Sequence, residues 1–441
     1  YDWKIKTKQK FSAYFNRSSG ANDRDEIYLT SSNSGYSGEI EPDHQKINSR
    51  QSSVNTDFQA DYIHPIGKSS KFEAGYSGRK RSIESLFNAY DFIETQQEYI
   101  FNDTISNDFV YDEDIHAIYI QYSGKSGILG YQAGLRLENV STVSFLKNTG
   151  EKFKNPYTSY FPSATLTLGS LESLQIQSSY SRRIRRPSHR RLNPFIRQSD
   201  KFNIRQGEPF LKPEYIDAAE LNFSRYKNRR TFSIGVYYRR VTDKISRYKY
   251  LRNDGISVST YANSDEQRTF GTEMIISGSL NKVFRLMLNG NIYQDEVNAA
   301  NVFGEDYDRT ATGYMARITT TWIARPGTEV MFSGFYRGPR DIPIGKIESM
   351  TFSSLSVKQK FRDDRLAVSL RLNDVFNTMG FKFHTFEENY FQDSSRKWES
   401  QVLTMTVEYR FGKMDDRRSR NRNQRNRGNN DDNDMGEMEI E

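Results

Sequence analysis

The sequence predicts an all-β fold, an antiparallel transmembrane β-barrel of the outer-membrane type, and three observations lead to this prediction. Apolar and polar residues alternate along many segments, short and long connections follow each other without a break, and aromatic residues collect beside the short connections. Each observation is typical of strands that cross a membrane with one face toward lipid. Together they predict about sixteen strands in this chain.

The alternation is clearest in the last apolar segment of the chain. From Leu403 to Phe411 every second side chain is apolar, and the residues between them, such as Thr406 and Glu408, are polar. Because successive side chains of a strand point to opposite faces, this segment has one apolar and one polar face. The pattern recurs over residues 129–138, 232–238, 284–292, 314–322 and 366–373, and it is blurred around 115–122.

The connections between these segments are of two kinds. The tight ones are made of Gly, Asn, Asp, Ser and Pro, which are the residues that form hairpin turns. Alternation of tight and long connections predicts short periplasmic turns and long extracellular loops. The tight turns are predicted at 67–70, 124–127, 169–172, 228–230, 280–282, 325–328 and 362–365. The long polar connections are predicted at 17–49, 83–111, 142–156, 185–215, 248–257, 296–309, 339–350 and 377–398.

Within the predicted strands, aromatic residues at the alternate positions that form the apolar face lie beside the tight turns. Such residues form girdles at the two membrane–water interfaces of a barrel. The alternative is that aromatic residues simply favour strands, but this preference does not explain their position beside the turns. The predicted girdle residues are Tyr131, Phe232, Phe284, Trp322, Phe361, Tyr409 and Phe411.

The composition fits a barrel better than a large globular core. Only 35% of the 441 residues are hydrophobic and the mean hydropathy is −0.81, although aromatic residues reach 14%. No segment approaches the roughly 18 consecutive apolar residues of a membrane helix. The chain has no cysteine, which excludes disulfides and thiolate sites. The net charge of +7 comes largely from an arginine-rich tail and does not predict a nucleic-acid partner.

Charged residues at the alternate positions that form the polar face of each strand are predicted to face the barrel interior. They either line a polar lumen that selects solutes, or they form cross-strand ladders or contacts to a plug, and we favour the second interpretation over a binding site. These residues are Arg136, Glu138, Arg285, Arg317, Lys358, Lys360, Arg371, Glu408 and Arg410.

Three motifs resemble a known family of outer-membrane barrels. The first is a string that starts with Tyr-Ser-Arg-Arg at residue 180, continues with Leu-Asn-Pro-Phe at 192–195 and ends with Leu-Lys-Pro-Glu at 211–214. The second, Leu-Asn-Asp-Val-Phe-Asn at 372–377, resembles an element near the end of such barrels, and Tyr409-Arg410-Phe411 resembles their terminal assembly signal. The chain is therefore similar to the TonB-dependent-receptor-like proteins common in Bacteroidetes.

The resemblance implies a location in the cell outer membrane and energised uptake of a large nutrient. Receptors of this class have a barrel of about 22 strands together with a plug domain and an energy-coupling box. We therefore expect residues 1–412 to be the C-terminal part of a receptor barrel. Implied partners are outer-membrane lipid, the barrel-assembly machinery, and TonB through a plug domain outside this chain. The alternatives are a passive pore, an assembly or surface-attachment barrel without energy coupling, and a soluble surface β-protein.

The candidate contact residues belong to the densest cluster of charged residues in the chain. Guanidinium groups bind phosphates and carboxylates through paired hydrogen bonds, so these arginines are predicted to contact anionic substrates or lipopolysaccharide. The structural alternative is that they pair with loop acids, namely Asp200, Glu208 and Glu214. The candidates are Arg182, Arg183, Arg185, Arg186, Arg190 and Arg191.

No catalytic, cofactor or metal site is predicted. The five histidines are scattered without the spacing of metal ligands, and no glycine-rich phosphate loop is present. Tyr409 and Phe411 are predicted to form the signal that the barrel-assembly machinery reads. Residues 413–441 are rich in Arg, Asn and Asp and are expected to form a disordered periplasmic tail.

Overall fold

The computed structural model describes residues 2–6, 9–30, 43–170, 174–195, 197–200, 203–252, 255–298, 309–342, 345–361, 365–387 and 390–411. Within these residues the chain forms 23 strands and one short helix, α1 (His189–Leu192). The strands are β1 (Asp2–Lys6), β2 (Gln9–Thr30), β3 (Asp43–Ile66), β4 (Ser70–Ile93), β5 (Glu98–Ser126), β6 (Leu129–Leu146), β7 (Lys152–Ser170), β8 (Leu174–Arg185), β9 (Arg197–Asp200), β10 (Asn203–Arg205), β11 (Glu214–Lys227), β12 (Arg230–Leu251), β13 (Ser257–Ser279), β14 (Phe284–Asn298), β15 (Arg309–Arg325), β16 (Thr328–Arg337), β17 (Arg340–Ile342), β18 (Gly345–Ile347), β19 (Met350–Phe361), β20 (Leu366–Asn373), β21 (Gly380–Glu387), β22 (Tyr390–Lys397) and β23 (Leu403–Tyr409). The predicted all-β fold is confirmed.

Nineteen of the strands form one sheet, in which neighbours along the chain pair with each other. The long wall of this sheet consists of β2 to β8, β11 to β16, β19, β20 and β23, all paired antiparallel. These are the strands that the sequence predicted as about sixteen. The short strands β17, β18, β21 and β22 form a separate sheet of four. In the described part of the chain, no helix is long and apolar enough to span a membrane.

The predicted tight turns fall between consecutive wall strands, and we call this end of the wall its short-turn edge. The β11–β12 turn consists of Asn228 and Arg229, whose φ angles are 53° and 60°. Positive φ at both central residues is typical of the type I′ turn, which matches the twist of paired strands. Residues 171–173 and 362–364, within two of the other turns, lie outside the described residues.

The predicted long connections are, to a large extent, continuations of the strands. β5 has 29 residues, and only residues 94–97 separate β4 from β5. A strand needs about 9–11 residues to cross a bilayer, so these hairpins project well beyond the membrane. The sequence predicted loops at 17–49 and 83–111 because a strand with water on both sides lacks the apolar alternation that identifies a strand.

The outward face of the wall is apolar in a band near the short-turn edge. On β5, Ile118 is 57% exposed, whereas its neighbour Ala117 is 1% exposed. Ile120 and Tyr122 are exposed on the same face as Ile118, so the parity that is blurred in the sequence is resolved in the structure. Hydrocarbon contact suits such a face because lipid takes the place of a protein core.

Aromatic side chains border the apolar band at both edges. Phe232, Trp322 and Phe361 are exposed near the short-turn edge, as the sequence predicted. Tyr238 and Phe270 are exposed at the opposite edge. A row of charged residues follows there, consisting of Arg182, Asp217, Arg240 and Arg268, each directly opposite the next across neighbouring strands.

The interior face of the last strands carries paired charges. Lys358 lies 3.9 Å from Glu408, which also accepts a hydrogen bond from Arg410 at 2.8 Å. Lys360 lies 3.7 Å from Glu329 on the neighbouring part of the wall. These pairs are the cross-strand ladders that the sequence favoured over a definable binding site.

Candidate functional site

The arginine-rich segment after β8 folds back against the interior of the wall. Its helix α1 contributes Leu192, and Leu211 follows near the start of β11; both side chains are buried. They pack with apolar residues of the extracellular strand extensions in one cluster. Burial of these side chains stabilises the inward position of the segment, because each apolar residue removed from water contributes on the order of 2 kcal/mol. The cluster consists of Ile83, Phe109, Tyr111, Leu146, Leu192, Leu211 and Ile245.

Local sequence explains why this segment leaves the wall. Pro187 follows the end of β8 and has no N–H to continue the ladder. The segment then pairs with itself, since Gly207 N donates to Asn193 O at 2.9 Å and Glu208 N donates to Arg191 O at 2.7 Å. A Cβ at Gly207 would lie 2.4 Å from Asn193 O, so this close approach requires glycine.

Arg186 anchors the start of the segment to a buried carboxylate on β6. Its guanidinium binds Glu138, and its Nε donates to the Tyr157 hydroxyl at 3.0 Å. Glu138 also accepts from Arg136 Nε at 2.7 Å, so two arginines share one buried acid. A buried carboxylate is costly unless it is paired and hydrogen-bonded, and this arrangement satisfies both conditions.

Arg185, the last residue of β8, lies directly opposite Glu214, the first residue of β11, and this pair closes the base of the segment. The Glu214 side chain is buried, binds Arg185, and accepts from the backbone N of Ile245 at 2.7 Å. The structural alternative for the arginines therefore holds at Glu214. Glu208 instead accepts from the backbone N of Phe210 at 3.0 Å, and the side chain of Asp200 lies outside the described residues.

A charged cavity of ≈ 290 Å³ lies beside the anchored segment on the interior face. Arg79 donates to Asp57 at 2.7 Å. In the described part of the chain, Arg81 donates to the neutral amide oxygen of Asn55 at 2.8 Å and forms no ion pair. The cavity therefore offers guanidinium donors to a polar ligand with acceptor groups. Its lining residues are Arg79, Arg81, Tyr111, Glu113, Ile115, Arg186, Pro187, Ser188 and His189.

Tyr111 and Glu113 form a buried corner of this cavity. Both are buried, and the Tyr111 hydroxyl donates to Glu113 at 3.2 Å. They lie in the extracellular extension of β5, above the lipid-facing Ile118. Burial first, and the Glu113 carboxylate second, raise the pKa of Tyr111 above its ordinary value. The phenol is thus a neutral hydrogen-bond donor at any physiological pH.

The six predicted contact arginines do not form one patch, because only Arg182 lies on the outward face. Its guanidinium carbon lies 5.3 Å from the Tyr160 ring centre and 5.0 Å from that of Tyr215, and a guanidinium nitrogen lies 3.9 Å from Asp217. Cations stacked on aromatic rings near a membrane interface are held in a defined orientation. Of the six, Arg182 alone shares the face of the wall on which the exposed apolar side chains lie.

The other five predicted arginines belong to the interior side. Arg183 shares the parity of Arg185 on β8, and both are exposed toward the interior. Arg190 and Arg191 belong to α1, and Arg191 lies over the Tyr261 ring at 5.3 Å. The sequence did not identify Arg79, Arg81 or Glu113 as neighbours of this segment. Nothing in the local sequence pairs them with a segment that lies so far along the chain.

Comparison with known proteins identifies the family. A model of the outer membrane protein beta-barrel family matches residues 3–409. The chain belongs to this family. Its location is therefore the cell outer membrane, as the sequence predicted, and the resemblance drawn from the three motifs is confirmed at the level of the family. The Bacteroidetes type remains a prediction. A search of the curated proteins found no match.

The fold of this barrel is similar to those of solved receptor structures. The ferric citrate transporter FecA in the unliganded form has a TM-score of 0.63 at 11% identity, covering 93% of this chain and 60% of that one. The siderophore receptor PiuA from Acinetobacter baumannii has a TM-score of 0.64 at 12% identity, covering 93% and 63%. The ferric yersiniabactin uptake receptor FyuA from Yersinia pestis has a TM-score of 0.58 at 10% identity, covering 92% and 61%. The chain thus spans about three fifths of the length of these receptors.

Proposed function

We propose that this barrel serves the energised uptake of a large polar nutrient across the outer membrane. The observation that supports the proposal best is the inward-folded segment 186–213, described at residues 186–195, 197–200 and 203–213, which is anchored at its base by ion pairs and borders a charged cavity. An uptake receptor needs such a constriction with fixed donors, because it must hold a ligand before it is carried inward. A passive pore needs an open aqueous interior instead.

TonB and a plug domain are the partners that this proposal requires. Receptors of similar fold are longer than this chain, which leaves room in them for further parts. We further propose a ligand rich in hydrogen-bond acceptors, because Arg81 and Arg183 face the interior and neither forms an ion pair with a carboxylate of the described residues. Ferric chelates, which the names of several similar receptors mention, are the first ligands to test.

A transport assay on cells that carry or lack this gene tests the proposal. We expect saturable import of at least one ferric chelate, abolished by deletion of the gene and by collapse of the proton-motive force. Arg81→Gln should raise the concentration for half-maximal import about tenfold, because it removes a charged donor. Lys80→Gln, on the outward face one residue away, should leave import unchanged. Passage of small sugars that does not saturate and is independent of the proton-motive force would establish the passive pore instead.

The assembly signal is a second proposal, located at the end of the last strand. β23 pairs with β20, and all seven of its residues are exposed. Tyr409, the last residue of β23, and Phe411, two residues beyond it, carry exposed rings at the short-turn edge. We expect removal of both rings, Tyr409→Ser with Phe411→Ser, to slow membrane insertion measured by the rate at which heat-modifiable protein forms. An unchanged insertion rate would exclude this role.

Arg182 is the remaining candidate for a lipopolysaccharide contact. We expect Arg182→Gln to reduce the lipopolysaccharide that co-purifies with the barrel, because a guanidinium beside the outer headgroups binds phosphate. Arg183→Gln, on the interior face, is the matched control. Equal amounts of lipopolysaccharide on the two variants would remove Arg182 from the list of contacts.

A further inference from the structure

A groove on the lipid-facing surface at the short-turn edge combines apolar walls with a basic rim. It lies between the β11–β12 and β13–β14 turns and has a volume of ≈ 370 Å³. Phe232 lies directly opposite Ile276, and both share the outward parity. Leu286 and Leu280 complete the apolar wall. The groove is therefore open to the hydrocarbon of the membrane and not to the barrel interior.

The rim of this groove holds three cations on the same outward face. Arg225, Lys227 and Arg230 are exposed, and Lys227 lies directly opposite Arg230 in the β11–β12 register. Like charges directly opposite each other destabilise a strand pair. Among the residues that the structure describes, no carboxylate forms an ion pair with any of the three. An anion bound between them would relieve this repulsion.

Arg230 is held in position across the end of β13. Its Nε donates to Ser279 O at 3.0 Å, and its Nη2 donates to Leu280 O at 3.0 Å. The remaining guanidinium N–H groups are available for a ligand, because the group has five donors. Gly278 allows this close approach, since a Cβ there would lie 2.8 Å from Arg230 Cα and its φ is +151°. The Arg230 guanidinium is thus held at the rim by two hydrogen bonds to backbone carbonyl oxygens.

We propose that this groove binds an anionic glycerophospholipid of the inner leaflet. The short turns of an outer-membrane barrel face the periplasm, so the rim lies at the headgroup level of that leaflet. The lipid phosphate binds between Lys227 and Arg230, and one acyl chain lies along Phe232, Ile276 and Leu286. Basic pockets at a membrane surface select anionic headgroups by this combination of charge and depth.

A soluble anion fits the groove less well than a lipid does. The cations and the apolar wall belong to one continuous outward surface, so a ligand that contacts both must carry a charged end and a hydrocarbon end. Free phosphate satisfies only the rim. The site lies on the outer surface of the wall, and it is independent of the uptake function proposed for the interior.

Native mass spectrometry of the purified full chain in detergent tests the proposal. The probes are phosphatidylglycerol and phosphatidylcholine, each added alone and then with inorganic phosphate as competitor. We expect retained phosphatidylglycerol to exceed phosphatidylcholine. The double variant Lys227→Gln/Arg230→Gln should lower its apparent affinity about tenfold or more. Arg229→Gly is the matched control, because it removes one charge from the same turn, suits the positive φ, and leaves the groove residues in place.

Three outcomes would overturn the inference. Equal retention of the two lipids would indicate a non-specific lipid belt. Equal loss in the double variant and in Arg229→Gly would indicate an effect of net charge alone. Complete displacement by inorganic phosphate would indicate a simple anion site. Heat-modifiable migration checks folding of every variant, and Arg225→Gln alone, expected to weaken binding several-fold, replaces a double variant that fails to fold.

Discussion

At the scale of single residues, the face of the strand on which a side chain lies decides what a substitution costs. Leu370 on β20 is 46% exposed on the lipid-facing side. Its neighbour Ser369 faces the interior, directly opposite Thr406 and Lys358. The two residues are adjacent in the chain, but one side chain faces lipid and the other faces the interior of the barrel.

The pair Leu370→Arg and Ser369→Arg tests this assignment of faces. Leu370→Arg places a charge in hydrocarbon and should cost about 2–4 kcal/mol near the bilayer midplane. Ser369→Arg should be tolerated, because an arginine on the interior face reaches water and Glu408 of the neighbouring strand. Unfolding in detergent, followed by heat-modifiable migration, measures both effects. Equal destabilisation of the two variants would contradict the assignment.

Asp374, in the motif that follows β20, is a residue whose role only the structure reveals. Its side chain is 0% exposed and accepts from the backbone N of Thr378 at 2.9 Å and of Met379 at 3.0 Å, and from the Ser400 hydroxyl. Burial acts to raise the pKa of Asp374, but these hydrogen bonds to the charged form outweigh it, so the pKa lies below its ordinary value. The carboxylate thereby holds together the connection between β20 and β21.

The depressed pKa of Asp374 makes a prediction about stability and pH. A depressed carboxyl pKa stabilises the fold above the unfolded-state value of about 3.9, and this contribution is lost as pH falls through the lower folded value. Asp374→Asn should cost about 1–3 kcal/mol at neutral pH, because two backbone donors lose a charged acceptor. The difference in unfolding free energy between wild type and variant should shrink below about pH 4. A difference that is constant with pH would contradict this role.

At the scale of elements, the inward-folded segment 186–213 is the feature that sets the shape of the interior. Its apolar residues complete a cluster that the wall strands alone leave open, and its base is fixed by ion pairs to the buried carboxylates Glu138 and Glu214. Loss of one partner of a buried pair is costly because the remaining charge stays buried. The Arg186–Glu138 pair therefore controls whether the segment stays in place.

Glu138→Gln should loosen the segment without unfolding the wall. Trypsin cleavage at Arg190 or Arg191 should become about tenfold faster, which corresponds to about 1.4 kcal/mol less protection against local opening. Glu113→Gln is the matched control, because Glu113 is equally buried but, within the described residues, accepts from the Tyr111 hydroxyl and forms no ion pair. Fragment mapping after timed digestion gives both rates. Equal cleavage rates for the two variants would mean that Glu138 does not anchor the segment.

At the scale of the whole molecule, the wall has an apolar band on its outer face, bordered by charges at the edges of the band, and paired charges on its interior face. Apolar side chains such as Ile118, Leu370 and Met405 are exposed on one face of successive strands, while the paired charges lie on the other. This is the reverse of a water-soluble sheet protein. Exposure of so much apolar surface to water favours association.

The purified chain should accordingly require detergent or lipid to remain folded and dispersed. We expect aggregation on dilution into plain buffer, and in detergent a compact species that migrates faster on gels before heating than after. Circular dichroism and sedimentation in the two solvents measure this. A folded monomer in plain buffer would contradict the arrangement of faces on which the membrane assignment depends.

The sequence by itself determined the fold class, the number of wall strands, the tight turns and the lipid-facing parity of strands such as β20 and β23. These features are local, because contact with hydrocarbon imposes a period of two on each strand separately. Only the tertiary structure decided that the arginines of segment 186–213 are divided between two faces, that Glu138 and Glu214 anchor them, and that β2 to β5 continue as hairpins far beyond the bilayer. These features depend on the register between strands that are distant in sequence. The strand extensions are also surrounded by water, so their sequence has no apolar alternation from which they could be predicted.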